Sequence, residues 1–215
     1  MIPVALGLGS NKSYGGMSCL QILRAAVAEL EKLLSGLECS GVYKTRAMYY
    51  LDQDDFYNFA VMGFFDNDAY GDDGASAFEL LDAIHEIEAR FGRDRSAEIR
   101  NGPRPLDIDI ELYGSQTIDA DVLTVPHLRL KERAFVLVPL VEILAKDADN
   151  IKWKGLGQEN ILGLKDALFA LCGREIPDSR NCGVEKFMDS KAFLDLPQEE
   201  LYGTRDAGTD KGSRN

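Results

Sequence analysis

Apolar positions along this chain change their period several times, and each change marks an element. Val4 to Leu8 is a short apolar run closed by Gly9-Ser10-Asn11, which reads as a buried strand entering a turn. Leu20, Leu23, Val27, Leu30 and Leu34 then recur at helical spacing, with Ser18 as N-cap, and Gly36 is placed to stop the helix after Leu34. Val42–Thr45 and Phe56–Phe65 are rich in β-branched and aromatic residues and predict two strands joined by an acidic loop. A second amphipathic helix follows through Leu80, Ile84, Ile87 and Phe91, stopped by Gly92. Beyond an arginine-rich loop the chain alternates, with Leu106, Ile108, Ile110 and Leu112 on one face and Asp107, Asp109 and Glu111 on the other.

The order β-α-β-β-α-β predicts an α+β, ferredoxin-like core: an antiparallel sheet with helices packed on one face. Arg133–Leu144 reads as a third helix that Pro139 must kink or cut short. From Gly173 the pattern fades into Gly, Asp, Ser and Arg, and only Phe187–Leu201 keeps apolar content. Residues 1–172 are therefore expected to form the domain, and 173–215 a C-terminal extension, partly ordered or disordered.

Composition narrows the class. A chain of 215 residues, 45% hydrophobic, is long enough to bury a sizeable core. Its net charge of −12 argues against a broad nucleic-acid surface, which needs cations to replace phosphate counterions. The charge is uneven, however. From Asp52 to Asp82 there are nine acids and no lysine or arginine, whereas Arg93 to Arg104 carries four arginines against Asp94 and Glu98. A local basic loop inside an acidic protein suits a small anionic ligand. Cys19, Cys39, Cys172 and Cys182 are scattered, and with only His85 and His127 to join them they indicate neither a disulfide framework nor a zinc site. The start of the chain lacks a signal-peptide pattern and no apolar run reaches membrane-spanning length, which predicts a cytoplasmic protein with no membrane partner.

Two residues apart on a strand, Asp107 and Asp109 present carboxylates on one side, roughly 7 Å apart along it. Hard oxygen donors at that spacing suit Mg²⁺, which takes one or two carboxylates plus phosphate oxygens and water. Alone, the pattern is also that of any half-exposed strand. The arginines immediately upstream change the reading, because guanidinium forks bind phosphate oxygens bidentately and the combination can neutralise a polyphosphate.

The run Arg100-Asn101-Gly102-Pro103-Arg104-Pro105-Leu106-Asp107-Ile108-Asp109-Ile110 closely resembles the signature of the 6-hydroxymethyl-7,8-dihydropterin pyrophosphokinase family. The resemblance extends through Gly9-Ser10-Asn11, Tyr43-Lys44-Thr45, Phe56-Tyr57-Asn58, Gly92-Arg93-Asp94-Arg95, Thr124-Val125-Pro126-His127 and Arg133-Ala134-Phe135, in unbroken order over residues 3–145. It implies transfer of pyrophosphate from MgATP to the hydroxymethyl group of a reduced pterin in folate biosynthesis, by a monomer. Asp107 and Asp109 would hold two Mg²⁺ ions, Arg93 and Arg104 would meet the transferring groups, and Arg95 and Arg100 would help from the loop. Thr124, His127 and Arg133 would bind the nucleotide. Phe56 and Phe135 would sandwich the pterin while Thr45 and Asn58 hydrogen-bond its edge. By the residues alone His127 is equally a turn residue, the phenylalanines are equally core, and Glu88, which matches a family glutamate, is equally solvated.

The chain departs from the family pattern at Asn101, where tryptophan is usual, at Leu128 for tyrosine, at Glu111 for an aliphatic residue, and at Arg46-Ala47 for prolines. Glu111 reads either as a third acid near the metals or as a solvent-facing strand end. Two rival functions follow: a pterin or nucleotide sensor without turnover, suggested by Asn101 and Leu128, and a nucleotidyltransferase, since Asp-x-Asp on a sheet also suits that chemistry.

Overall fold

In a computed structural model, residues 1–48, 50–66, 75–96, 99–147, 149, 151–173 and 182–196 are described. Their centre is β4 (Phe56–Phe65), paired along its length with β1 (Ile2–Ser10) on one side. Its other side is shared by β2 (Leu34–Cys39) and β3 (Val42–Thr45). Outside β1 lies β5 (Asp107–Tyr113), and outside β3 lies β8 (Val184–Met188), so the order is β5-β1-β4-β3-β8 with every pairing antiparallel. A short hairpin of β6 (Ile118–Ala120) and β7 (Leu123–Val125) stands apart.

Alternation along the central strands divides the interior into two cores. Val4, Leu6, Leu8, Phe59 and Val61 face one, where helices α1 (Cys19–Leu30) and α2 (Ala75–Arg90) bury Leu23, Val27, Leu80 and Ile84. Ala5, Ala60 and Met62 face the other, covered by α3 (Ala134–Lys146) and α4 (Gln158–Cys172) through Leu137, Leu140, Leu164 and Leu168. The expectation of helices on one face is thereby corrected: the sheet is covered on both. The apolar character of β4 on both of its faces is the physical reason, since water cannot cover either.

Three boundaries differ from the sequence reading. Ser18 does cap α1, in a reciprocal box with Gln21, but the helix ends at Leu30. Leu34 begins β2 instead, and Gly36, at φ +59°, sits in the irregular stretch between Ser35 and Glu38 rather than at a helix terminus. Helix α3 runs through Pro139 to Lys146. The alternation in β5 breaks at a bulge: Leu6 pairs with Ile110 and Ala5 with Leu112, so Glu111 is an extra residue, and Leu112 enters the core opposite that of Ile108 and Ile110.

The region read as an extension contributes to the fold. Strand β8 covers the free edge of β3, and in α5 (Ser190–Leu194) Phe193 is completely buried, its ring 5.1 Å from that of Phe59. Arg24 of α1 donates to the Leu194 carbonyl at 3.2 Å. Residues 174–181 and 197–215 lie outside the described residues.

Candidate active site

The ends of β1, β4 and β5 converge on a pocket closed by α3 and by the loops after β3 and α2. Register places Gly9 of β1 between Asp107 and Asn58, and Gly7 between Asp109 and Ala60. The two glycines keep the floor low. A Cβ at Gly9 would come 3.1 Å from Asn58 Oδ1, and one at Gly7 would come 2.9 Å from Glu111 Oε1. Asn11, in the turn after β1, holds the walls together. Its Oδ1 accepts from the Arg104 backbone at 2.9 Å, and its amide donates to Gln53 and to the Asp54 carbonyl. Gln53 in turn donates to the Asn101 carbonyl at 2.9 Å.

Cations and carboxylates interlock at the mouth. Asp107 accepts from Arg93 and from Arg104, the latter at 2.6 Å, and Arg133 lies 3.4 Å from Asp109. Glu88, 1% exposed, accepts from Arg93 and Arg95 and also takes the Ile108 backbone N–H at 2.8 Å. It therefore ties the arginine loop to β5, and it is no solvated helix residue. Burial alone would raise the Asp107 carboxyl, but Arg104 and Arg93 hold it below the usual range. Asp109 lacks that support: burial, then the neighbouring charge of Asp107, pushes it up to about 7 against the pull of Arg133.

His127 follows the cis Val125-Pro126 bond. Its Nδ1 accepts from the Arg129 N–H at 3.2 Å, so the neutral ring carries its proton on Nε2. Burial, then the Arg133 charge, lowers its pKa to about 4.

Of the residues singled out from sequence, Thr45, Phe56, Asn58, Arg104, Asp107, Asp109, Arg133 and Phe135 line one pocket. Asn58 donates to Thr45 at 2.8 Å, Arg104 lies over the Phe56 ring at 5.4 Å, and Arg133 over Phe135 at 5.7 Å. Arg93 and Arg95 stand behind the carboxylates, around Glu88. His127 joins the wall through Glu111, whose carbonyl accepts its backbone N–H. Thr124, on β7, and the exposed Arg100 do not line the pocket. Sequence reasoning missed Gly7, Gln53 and Met48 as lining residues. Gly7 carried a signal, since a glycine inside an apolar strand marks a close approach. The loop residues carried none.

This geometry can be set beside known proteins. The family model described as 7,8-dihydro-6-hydroxymethylpterin-pyrophosphokinase matches residues 5–145. The chain belongs to this family. Within it, the chain is 38% identical over 144 residues to the 2-amino-4-hydroxy-6-hydroxymethyldihydropteridine pyrophosphokinase of Bacillus subtilis, covering 65% of this chain and 75% of that one. It is 36% identical over 184 residues to the folate synthesis bifunctional protein of Arabidopsis thaliana, covering 77% of this chain and 35% of the relative. The mitochondrial folate synthesis bifunctional protein of Pisum sativum is 33% identical, with 74% and 32% covered. The chain thus spans about a third of the length of those bifunctional relatives. Crystal structures of Plasmodium falciparum HPPK-DHPS share the fold at TM-scores of 0.55 and 0.53, each at 14% identity and covering 86% of this chain. The pocket falls within the family match, whereas α4, β8 and α5 lie beyond it.

Among the described residues no helix is long and apolar enough to cross a membrane.

Proposed function

We propose that the chain transfers pyrophosphate from MgATP to 6-hydroxymethyl-7,8-dihydropterin, releasing AMP and the pterin diphosphate. The observation that carries this reading is the convergence in one pocket of the carboxylates of Asp107 and Asp109, the guanidinium groups of Arg104 and Arg133, the buried amide of Asn58 and the rings of Phe56 and Phe135, with Arg93 bonded to Asp107 from behind. The relatives' names give the reaction class, and the residues supply the parts. With β2 set aside as an addition that pairs with β4, the remaining βαββαβ order and the strand order β5-β1-β4-β3 also support the ferredoxin-like arrangement for the core.

The donor set fits magnesium. Asp107 and Asp109 offer only hard oxygens from one side of a strand, and Asp109 keeps a proton to about pH 7 because it is buried and, next, because a second negative charge beside Asp107 is unfavourable. We assign both as the residues that hold two Mg²⁺ ions, which when bound would neutralise charge on the ATP phosphates. In the present arrangement the arginines do that service for the carboxylates. With MgATP bound, Asp107 and Asp109 would hold the metal, and Arg93, Arg104 and Arg133, now paired with those carboxylates, would be placed to meet phosphate oxygens. The arginines then face the charge that spreads during in-line attack of the pterin hydroxyl on the β-phosphorus. Phe56 and Phe135 exclude water and fix the pterin plane, and Asn58 with Thr45 reads its edge.

Incubation with MgATP and the reduced pterin, followed by identification of both products, tests the reading. AMP with a pterin diphosphate supports it. Inorganic pyrophosphate with a nucleotidylated product would replace it by nucleotidyl transfer, and pterin binding without any product would leave a sensor.

A further inference from the structure

The floor of the pocket holds a carboxyl that no described residue hydrogen-bonds. Glu111, the extra residue of the β5 bulge, is 0% exposed, and among the described residues neither of its carboxyl oxygens has a hydrogen-bond partner. The other polar floor groups are engaged, Asn58 with Thr45, Asp107 with Arg93 and Arg104, and Asp109 with Arg133. The nearest candidate partner is His127, whose Nδ1 is 3.8 Å from Glu111 Oε2. That nitrogen already accepts the Arg129 N–H and so has no proton to offer.

The surrounding fold makes room for this group. The carboxyl leans over Gly7, where any Cβ would meet Oε1 at 2.9 Å. Gly9, two residues on, leaves the same kind of space beside Asn58 Oδ1. Glu111 and Asn58 thus flank a two-glycine groove on one face of β1. Burying a carboxyl without a partner is unfavourable, and an aliphatic side chain would stabilise this position better. Its complete burial means that Glu111 is not a solvent-facing strand end. What completes it is a ligand with N–H or O–H donors.

We propose that Glu111 is a specificity-determining residue whose carboxyl accepts a hydrogen bond from a ring N–H of the reduced pterin, opposite the edge read by Asn58 and Thr45. This rests on the pterin reading given above. A site built around an acceptor discriminates against analogues that lack the matching donor, because the acceptor is then left buried and unpaired.

The test is calorimetric binding of 6-hydroxymethyl-7,8-dihydropterin, with a nonhydrolysable ATP analogue and Mg²⁺ present, to wild type, Glu111→Gln and Glu111→Leu. Glu111→Leu is expected to weaken pterin binding about tenfold or more and to raise the KM for pterin more than it lowers kcat. Nucleotide affinity should be unchanged and the unfolding midpoint equal or higher, an outcome that a merely structural role cannot produce. Glu111→Gln, which keeps one acceptor oxygen, should fall between, and it carries the test alone if the leucine variant does not fold. Wild-type pterin affinity in the folded variants overturns the assignment of Glu111. A wild type that binds no pterin overturns the parent reading instead.

Discussion

Metal binding at this site should release a proton, because Asp109 keeps one up to about pH 7. An ordinary unfolded aspartate ionises near 3.9. The raised value means that ionising Asp109 opposes folding: its destabilising contribution is absent below about pH 4, grows as pH rises toward 7, and is full above that. Three units at about 1.4 kcal/mol each would give about 4 kcal/mol, but 37% of its side-chain surface reaches solvent, and screening reduces the figure to about 1–2 kcal/mol. For a cation the consequence is sharper. At pH 6 only about a tenth of Asp109 is ionised, so apparent Mg²⁺-nucleotide affinity should be about tenfold below its plateau and binding should expel close to one proton from this residue. At pH 9 none should leave. Calorimetry in buffers of different ionisation enthalpy measures the release. The nucleotide's terminal phosphate contributes equally to wild type and Asp109→Asn, so their difference isolates the carboxylate. Equal proton release by both proteins at pH 6 would refute the reasoning.

Three further outcomes follow from the geometry. Arg104→Ala should lower kcat about a hundredfold, the equivalent of about 3 kcal/mol, with a much smaller loss of nucleotide affinity; losses in proportion would make the arginine only a binding clamp. Phe193→Ala, at a completely buried ring beside Phe59, should destabilise by about 3–5 kcal/mol in denaturant titrations. Truncation after Gly173 should do so at least as strongly, whereas an unchanged midpoint would mean that α5 is dispensable. Asn101 sits at φ +59°, a left-handed conformation that asparagine tolerates better than most residues. Asn101→Gly should therefore retain thermal stability and Asn101→Trp should lose some of it, and equal midpoints would show that the loop readily changes conformation.

How far the sequence could be read depends on where each signal was local. Strands β1, β3 and β4 were legible because their apolar runs are bounded by turn residues, and the limits Val42–Thr45 and Phe56–Phe65 are those observed. Strand β2 was hidden because Leu34 continues the helical row of Leu23, Val27 and Leu30, while Gly36 doubles as a helix stop. Strand β8 buries only Val184 fully, so an edge strand with one inward residue shows no alternation. The bulge at Glu111 is set by its partner on β1, a long-range pairing that no window of β5 contains. Asp107, Asp109 and the arginines were visible as a local pattern. That Glu88 links two of those arginines to β5 is a fact of tertiary packing, visible beforehand only as a match to a family glutamate.

The central claim is that the β-phosphorus of ATP is the atom attacked. ATP labelled separately at the α- and β-phosphorus, supplied with Mg²⁺ and 6-hydroxymethyl-7,8-dihydropterin, tests it directly. The account predicts that β-label moves to the pterin while α-label stays in AMP, and that both Asp107→Asn and Asp109→Asn abolish most of the transfer while unfolding cooperatively. Transfer of α-label to the pterin, or undiminished β-transfer by both variants, would contradict it.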